Sequence, residues 1–169
     1  MEQKCIFCAI VANQIPALKV YEDDNFIAFL DIRPLTKGNC LVIPKKHYIW
    51  TYDVPNFGDY FEVARKVGLA AQKAFGAKWI CFLTLGLEVQ HAHIRVVPRY
   101  EKDLHGIVVD INVNEKFSEE EMKEIAEELK SAIPVEQPKV EEKKEEPVEE
   151  KPRWSKKDLF WARRDIEQT

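Results

Sequence analysis

Apolar and polar positions divide the first half of the chain into short strands and one long helix. Leu18-Lys19-Val20-Tyr21 and Phe26-Ile27-Ala28-Phe29-Leu30 flank the polar cluster Glu22-Asp23-Asp24-Asn25, which predicts two strands joined by a hairpin turn. Asp31-Ile32-Arg33-Pro34 ends the second run, and Lys37-Gly38-Asn39 turns into Cys40-Leu41-Val42-Ile43-Pro44, a third strand closed by proline. From about Phe57 to Phe75 the period changes. Phe61, Ala64, Val67, Gly68, Ala71 and Phe75 recur at three- and four-residue steps, predicting an amphipathic helix laid over the sheet. Trp79-Ile80-Cys81-Phe82-Leu83-Thr84 reads as a strand again. It leads into Val89–Pro98, where polar and apolar residues alternate strictly. As a strand, that stretch sends His91, His93 and Arg95 to one face, roughly 7 Å apart, and Ala92, Ile94 and Val96 to the other. Ile107-Val108-Val109-Asp110-Ile111-Asn112-Val113 is a further strand-like run.

The remainder has a different character. Ser118-Glu119-Glu120-Glu121 is a capping-box start, and Met122, Ile125, Ala126, Leu129 and Ile133 share one face of the helix that follows, which Pro134 stops. Residues 134–152 carry Pro, Glu and Lys with almost no large apolar side chains, too little to offset the entropy of ordering, and read as a flexible charged linker. Beyond it, Trp154 and Leu159 around an N-cap Ser155 fit a hydrophobic staple, predicting a short amphipathic helix to about Ile166. A helix so short needs burial on something. Its own domain, a dimer mate and a protein partner all stay open. The chain thus divides into a core of 1–114, a helix of 115–133 packed on or beside it, a linker of 134–152 and a terminal helix within 153–169.

A length of 169 residues with 46% apolar content fits one domain with appendages. The net charge of −4 is uneven: three Lys face seven Glu in 115–133 and four Lys face seven Glu in 134–152, whereas 153–169 holds five basic and three acidic residues. The core is left nearly neutral, which argues against a duplex nucleic acid partner, though not against a small anion held locally. No apolar run approaches a membrane span and no signal peptide opens the chain, so the expected setting is cytoplasmic, with no membrane partner. Four cysteines without a secretory leader then suggest reduced thiols or metal ligation.

Cys40 and Cys81 lie within apolar runs and read as small core residues. Cys5-Ile6-Phe7-Cys8 has a spacing that can place two thiolates on one tetrahedral metal, while a redox pair and two merely packed thiols stay open. Two imidazoles and a guanidinium along 91–95 suit zinc or phosphate. His47, after the third strand, and His105, after Pro98, read by themselves as surface histidines, and Asp31 as a turn former.

Gly86-Leu87-Glu88-Val89-Gln90-His91-Ala92-His93-Ile94-Arg95-Val96-Val97-Pro98-Arg99 resembles the active-site strand of the histidine triad (HIT) family, whose pattern is His-x-His-x-His followed by apolar residues. The resemblance extends over roughly the first 110 residues, in four stretches that keep the family's order. It implies an α+β, HIT-like fold with an antiparallel sheet of about five strands and two main helices, and a homodimer whose sheets join. By analogy to the zinc-bearing bacterial and archaeal type, Cys5, Cys8, His47 and His91 would hold one structural Zn2+. His93 would be the nucleophile that attacks the α-phosphorus of a nucleoside phosphoryl compound, its other ring nitrogen bonded to the backbone carbonyl of His91. Asp31 would contact the ribose hydroxyls, and Asn39, Glu88, His93 and Arg95 would complete the nucleotide site.

The sequence departs from the family pattern in three places. Arg95 stands where the third histidine belongs, and a guanidinium holds phosphate oxygens but does not donate a proton to a leaving group. Leu87 replaces a common glutamine, and a loop that usually bears glycine and asparagine is shortened to Leu85-Gly86. Two functions follow as expectations. One is a HIT-type hydrolase or nucleotidyl transferase acting on phosphoramidate, adenylated or dinucleoside polyphosphate substrates, with Arg95 assisting His93. The other is a catalytically weakened, zinc-stabilised nucleotide-binding scaffold that recruits a partner through its terminal helix.

Overall fold

The computed structural model describes residues 5–134. The expected linker, past its first residue, and the expected terminal helix lie outside the described residues. Nine short elements build the described part. Helix α1 (Ile6–Val11) is followed by strands β1 (Lys19–Glu22), β2 (Phe26–Leu30) and β3 (Cys40–Pro44), a 3-10 turn at Thr51–Asp53, helix α2 (Phe57–Phe75), strands β4 (Trp79–Leu83) and β5 (Ile94–Arg99), and helix α3 (Glu119–Ala132). All strand pairs are antiparallel, in the order β1-β2-β3-β5-β4. Among the described residues the fold is α+β with a five-stranded sheet and three α-helices, one more than expected, α1 being the addition.

Every residue of β2 and β3 is buried, because the sheet is covered on both faces. Phe26, Ala28, Leu30, Cys40 and Val42 face α2 and α3, while Ile27, Phe29, Leu41 and Ile43 face α1. The register keeps these sets apart, with Ala28 opposite Val42 and Phe29 opposite Leu41. Six residues are too few for α1 to persist alone. Burying Phe7 and Ile10, each worth roughly 1.5–3 kcal/mol, holds it on the sheet. No periodicity of helical length could announce so short an element.

Helix α2 has the predicted bounds but a wider buried stripe than predicted. Tyr60, Val63, Ala70 and Ala71 are fully or almost fully enclosed, whereas Phe61 and Phe75 are only partly buried at the margin. The helix packs against the sheet and α3 together, so two of its sides are covered. Gly68 lets it approach β4, since a β-carbon there would come within 3.1 Å of Ile80. Tyr60 donates a 2.9 Å hydrogen bond to the Val42 carbonyl and stacks on Phe26. Helix α3 opens with the predicted capping box: Ser118 Oγ accepts from the Glu121 amide, and the Glu121 carboxylate accepts from the Ser118 amide.

Four expectations are corrected. The strand expected over Val89–Pro98 begins only at Ile94 and runs to Arg99. Continuing the β3–β5 register would set Pro44 opposite Ala92; proline has no N–H to offer the Ala92 carbonyl, its own carbonyl accepts from the His91 ring, and the Ala92 amide bonds the Tyr48 carbonyl at 2.6 Å instead. No strand forms over Ile107–Val113; Ile107 and Val108 are exposed, and the segment runs across the loop that precedes β3. Cys40 is a core residue, but Cys81 is only half-buried, because the α1 face closes over the central strands and leaves β4 at the edge. His105 is not a solvated loop residue. Its Nε2–H donates to the Leu35 carbonyl at 2.9 Å, and its Nδ1 accepts from the Asp110 amide at 3.3 Å.

That histidine belongs to a clamp that fixes the chain after β5. Arg99 donates to both oxygens of Asp103, at 2.6 and 3.0 Å, and to the carbonyls of His105 and Gly106, while Tyr100 donates its hydroxyl to the Lys37 carbonyl. The Asp103 side chain is 1% exposed. Burial alone would raise its pKa, but the Arg99 guanidinium and the amides of Tyr100 and His105 outweigh burial and lower it to about 2. A depressed carboxyl pKa contributes stability that is complete above the unfolded value near 3.8 and is lost as the pH falls towards 2. Asp103→Asn is therefore expected to lower the unfolding free energy at pH 7 by ~2 kcal/mol. Urea titrations at pH 7 and pH 2.5 check this, with the difference between variant and wild type shrinking at the lower pH.

Candidate functional site

Helix α1 puts Cys5 and Cys8 one turn apart, so their sulfurs share a side of the chain. His47 comes from the loop after β3, and His91 from the bend just before β5. The four ligand atoms lie within 4.8 Å of one another. Cys5 Sγ is 3.3 Å from His91 Nδ1, Cys8 Sγ is 3.3 Å from His47 Nδ1, and Cys8 Sγ is 3.6 Å from His91 Nδ1. A tetrahedral zinc with bonds of about 2.3 Å to sulfur and about 2.0 Å to nitrogen separates the two atom types by about 3.5 Å. The donor set and its spacing suit that ion.

The protonation chemistry agrees with this. Burial lowers the His91 pKa to about 4, the proximity of His47 and His93 adding to the effect and the bond to Pro44 opposing it, so the ring is neutral at pH 7 as a ligand must be. Burial and the neighbouring Cys5 raise the Cys8 thiol to about 11, a cost that a divalent cation reverses by binding the thiolate. With His91 Nδ1 turned to the sulfurs, its Nε2–H donates to the Pro44 carbonyl at 2.9 Å, which fixes the tautomer and the ring plane. Pro44 thus ends the ladder and accepts from the imidazole at the same point.

His93 follows two residues later, and its Nδ1 lies 2.8 Å from the His91 carbonyl oxygen. A carbonyl only accepts, so Nδ1 carries the proton and Nε2 keeps its lone pair. Burial lowers the His93 pKa, opposed by that carbonyl, which favours the neutral ring. Phe7 packs edge-on against both imidazoles, with ring centroids 5.8 Å from His91 and 5.5 Å from His93, so one α1 side chain walls both.

His93 and Arg95 line a cleft of about 280 Å³ whose other walls include Arg33, Glu88, Asn112 and Asn114. Leu85, Gly86 and Leu87 border it too. Asp31 is 5% exposed and does not line it. Its Oδ1 accepts from the Arg33 amide at 2.9 Å, the turn role its position suggested, and its Oδ2 stands 3.0 Å from Arg95 Nη2. Glu88 pairs with Arg33 at 3.2 Å on the exposed rim.

Asn39 is corrected as a ligand contact. It is fully buried, Oδ1 accepts from the Leu35 amide, and Nδ2 donates to the Val96 and Cys40 carbonyls, so its side chain organises the loop before β3. Sequence reasoning missed Arg33, Ile111, Asn112 and Asn114. Arg33 stood two residues from Asp31 and could have been found. Ile111 and the two asparagines reach the cleft only because Arg99, His105 and the 2.9 Å bond from the Glu115 amide to the Pro34 carbonyl draw 99–115 over the loop before β3.

Comparison with known proteins gives a consistent result. The HIT domain profile matches residues 12–102. An uncharacterised HIT-like protein of Methanocaldococcus jannaschii is 39% identical over 128 residues, 68% of this chain and 97% of its own length. An adenylylsulfatase of Arabidopsis thaliana is 35% identical over 61% of this chain and 56% of its own. Among solved structures, a zinc-bound histidine triad family protein of Mycobacterium smegmatis superposes with a TM-score of 0.64 at 31% identity, covering 77% of this chain and 93% of that one.

Purified protein is expected to contain about one zinc per chain, measured by plasma emission spectrometry. Cys5→Ser should release the metal. It should also lose the ~3–4 kcal/mol that a ligand present at several hundred times its Kd adds to the folded state, read by calorimetry with and without added zinc.

Proposed function

Because the chain belongs to the HIT domain family, we propose that it is a nucleotide-binding hydrolase or nucleotidyl transferase that works through a covalent nucleotidyl-His93 intermediate. The observation that carries the reading is the 2.8 Å bond from His93 Nδ1–H to the His91 carbonyl, which leaves Nε2 unprotonated on a side chain that borders the cleft. A neutral imidazole in a fixed tautomer is a competent nucleophile near pH 7. Nε2 attacks the α-phosphorus, a P–N bond forms, and the bond from phosphorus to the leaving group breaks with its electron pair going to that group. Water or another acceptor then attacks phosphorus and the P–N bond breaks in turn. Arg95 meets charge developing on the phosphoryl oxygens. The similarity to an adenylylsulfatase supports hydrolysis as the reaction type.

Zinc, when bound, supplies rigidity at His91 in place of an activated water. The carbonyl that orients His93 belongs to a residue whose ring bonds Pro44 and faces both cysteines, so the orientation is inherited from the metal site. Asp31 retains the ribose hydroxyls as its partners in this reading, and Arg95 must turn from Asp31 to phosphate for them to reach it. Thiolate ligation also suits a reducing, cytoplasmic setting. Among the described residues, no helix is long and apolar enough to cross a membrane.

A homodimer joined along β4 is part of the proposal. That edge strand leaves Trp79 59% and Phe82 38% exposed, the kind of edge that natural sheets pair or cover. Light scattering should give twice 19.7 kDa, and Trp79→Glu should shift the mass to that of one chain.

The ion pair between Arg95 and Asp31 favours the second reading, a weakened nucleotide-binding scaffold, by engaging two groups a substrate needs. Incubation with radiolabelled adenylated substrates followed by denaturing electrophoresis separates the two. An acid-labile adduct absent from His93→Ala is expected, with turnover in that variant lowered by at least ~1,000-fold. Tight nucleotide binding without adduct or turnover would replace the enzyme with the scaffold.

A further inference from the structure

We propose that the cleft selects substrates whose leaving group is an oxyanion, phosphate, polyphosphate or sulfate, and discriminates against those that must expel an amine. The inference rests on His93 as nucleophile and names the substrate class for that site.

The argument starts from what surrounds the nucleophile. Among the described residues lining the cleft, the polar side chains besides His93 are Arg33, Arg95, Glu88, Asn112 and Asn114. Glu88 is engaged by Arg33 at the rim, and the two asparagines are neutral amides. A guanidinium does not release its proton in proteins, and an amide does not titrate. The cleft therefore has a nucleophile, two guanidinium groups each paired with one carboxylate, and no second imidazole. His105 is the remaining histidine apart from the two in the metal cluster, and it is bonded to Leu35 and Asp110 away from the cleft walls. The proton on His93 Nδ1 is directed at the His91 carbonyl and cannot serve either.

Proton balance then separates the leaving groups. When Nε2 displaces sulfate or a phosphate ester from an adenylyl group, the P–O bond breaks and the oxyanion leaves with its electron pair, needing no proton. When it displaces an amine, the P–N bond can break only if nitrogen receives a proton, because an amide anion is not a viable product in water. The cleft offers no imidazole for that transfer, and its one carboxyl, Glu88, is held by Arg33 at the exposed rim, so the proton must come from solvent, without the 100- to 10,000-fold or so that a positioned acid contributes. The cations act in the opposite direction. Arg95, 21% exposed, has a planar fork that matches two oxygens of a phosphate or sulfate once it turns from Asp31, and Arg33, 71% exposed and paired with Glu88, is within the same cleft. Charge appearing on the leaving oxygen is stabilised, whereas a departing neutral amine gains nothing from either residue.

The test uses the full-length, zinc-loaded chain and three substrates that share the adenylyl group: adenosine 5′-phosphosulfate, diadenosine tetraphosphate and adenosine 5′-phosphoramidate. AMP release is expected to give a kcat/KM for the sulfate or the tetraphosphate at least about 100-fold above that for the phosphoramidate. The ratio between the first two distinguishes a sulfate from a phosphate leaving group. Arg95→His restores a titratable acid and should narrow the gap about tenfold or more by raising the phosphoramidate rate. Arg95→Gln, which removes the charge and adds no acid, should lower the sulfate and tetraphosphate rates and leave the phosphoramidate rate unimproved. Its circular dichroism and zinc content control for folding. Equal or faster wild-type cleavage of the phosphoramidate through a His93 adduct overturns this inference alone. So does an Arg95→His variant with an unchanged ratio. No adduct and no AMP from any of the three overturns the nucleophile and the inference together.

Discussion

One hydrogen bond, from His93 Nδ1–H to the backbone oxygen of His91, fixes the tautomer of the ring that borders the cleft, and much of the fold stands behind it. The acceptor is rigid because the His91 ring is tied at both nitrogens, to the Pro44 carbonyl on one side and towards the two cysteines on the other. The cysteines are in place because α1 lies on the sheet through Phe7 and Ile10, and Phe7 presses on both imidazoles. Positional precision of this kind matters because a nucleophile displaced by an ångström can lose two orders of magnitude in rate. Cys5, Cys8, His47 and His91 would hold a zinc with four protein ligands, which would stiffen the residue whose carbonyl orients the His93 ring.

Charge is distributed with similar economy. The central strands are fully apolar and the ionic groups cluster at the loops that follow them: Asp31 and Arg33 after β2, Glu88 before β5, and Arg95 near its start. Arg95 contacts Asp31 at a site where the side chains are 21% and 7% exposed, dry enough for the pair to matter. The pair fixes the position of the guanidinium on the wall of the cleft.

Much of this was legible in the sequence, for identifiable reasons. Strands β1 to β4 and helices α2 and α3 carry strong periodicity or turn chemistry, so their bounds fall close to those expected. The metal quartet was named through family resemblance, since gaps as long as those from Cys8 to His47 and from there to His91 say nothing by themselves. Three features were not legible. Helix α1 is shorter than two full turns. The start of β5 is set by Pro44, a residue on another strand. Residues 107–113 have a strand's composition but no strand to pair with, because Arg99, Asp103 and His105 capture the adjoining chain first. Asn39 carried a ligand's chemistry in its sequence setting, yet its amide is consumed by three backbone groups. Long-range contacts made each of these outcomes, and local pattern carries no information about them.

The proline at the end of β3 has one more consequence. A missing donor on one strand frees its neighbour there from the flat geometry of a pleated ribbon, and the ligand ring of His91 and the cleft ring of His93 stand on either side of that point. The conformation of 91–93 is thus set in part outside those residues, by Pro44 and by the Tyr48 carbonyl that accepts from the Ala92 amide. Grafting the histidine motif onto another sheet without a ladder-breaking partner opposite would transplant the letters and leave the shape behind.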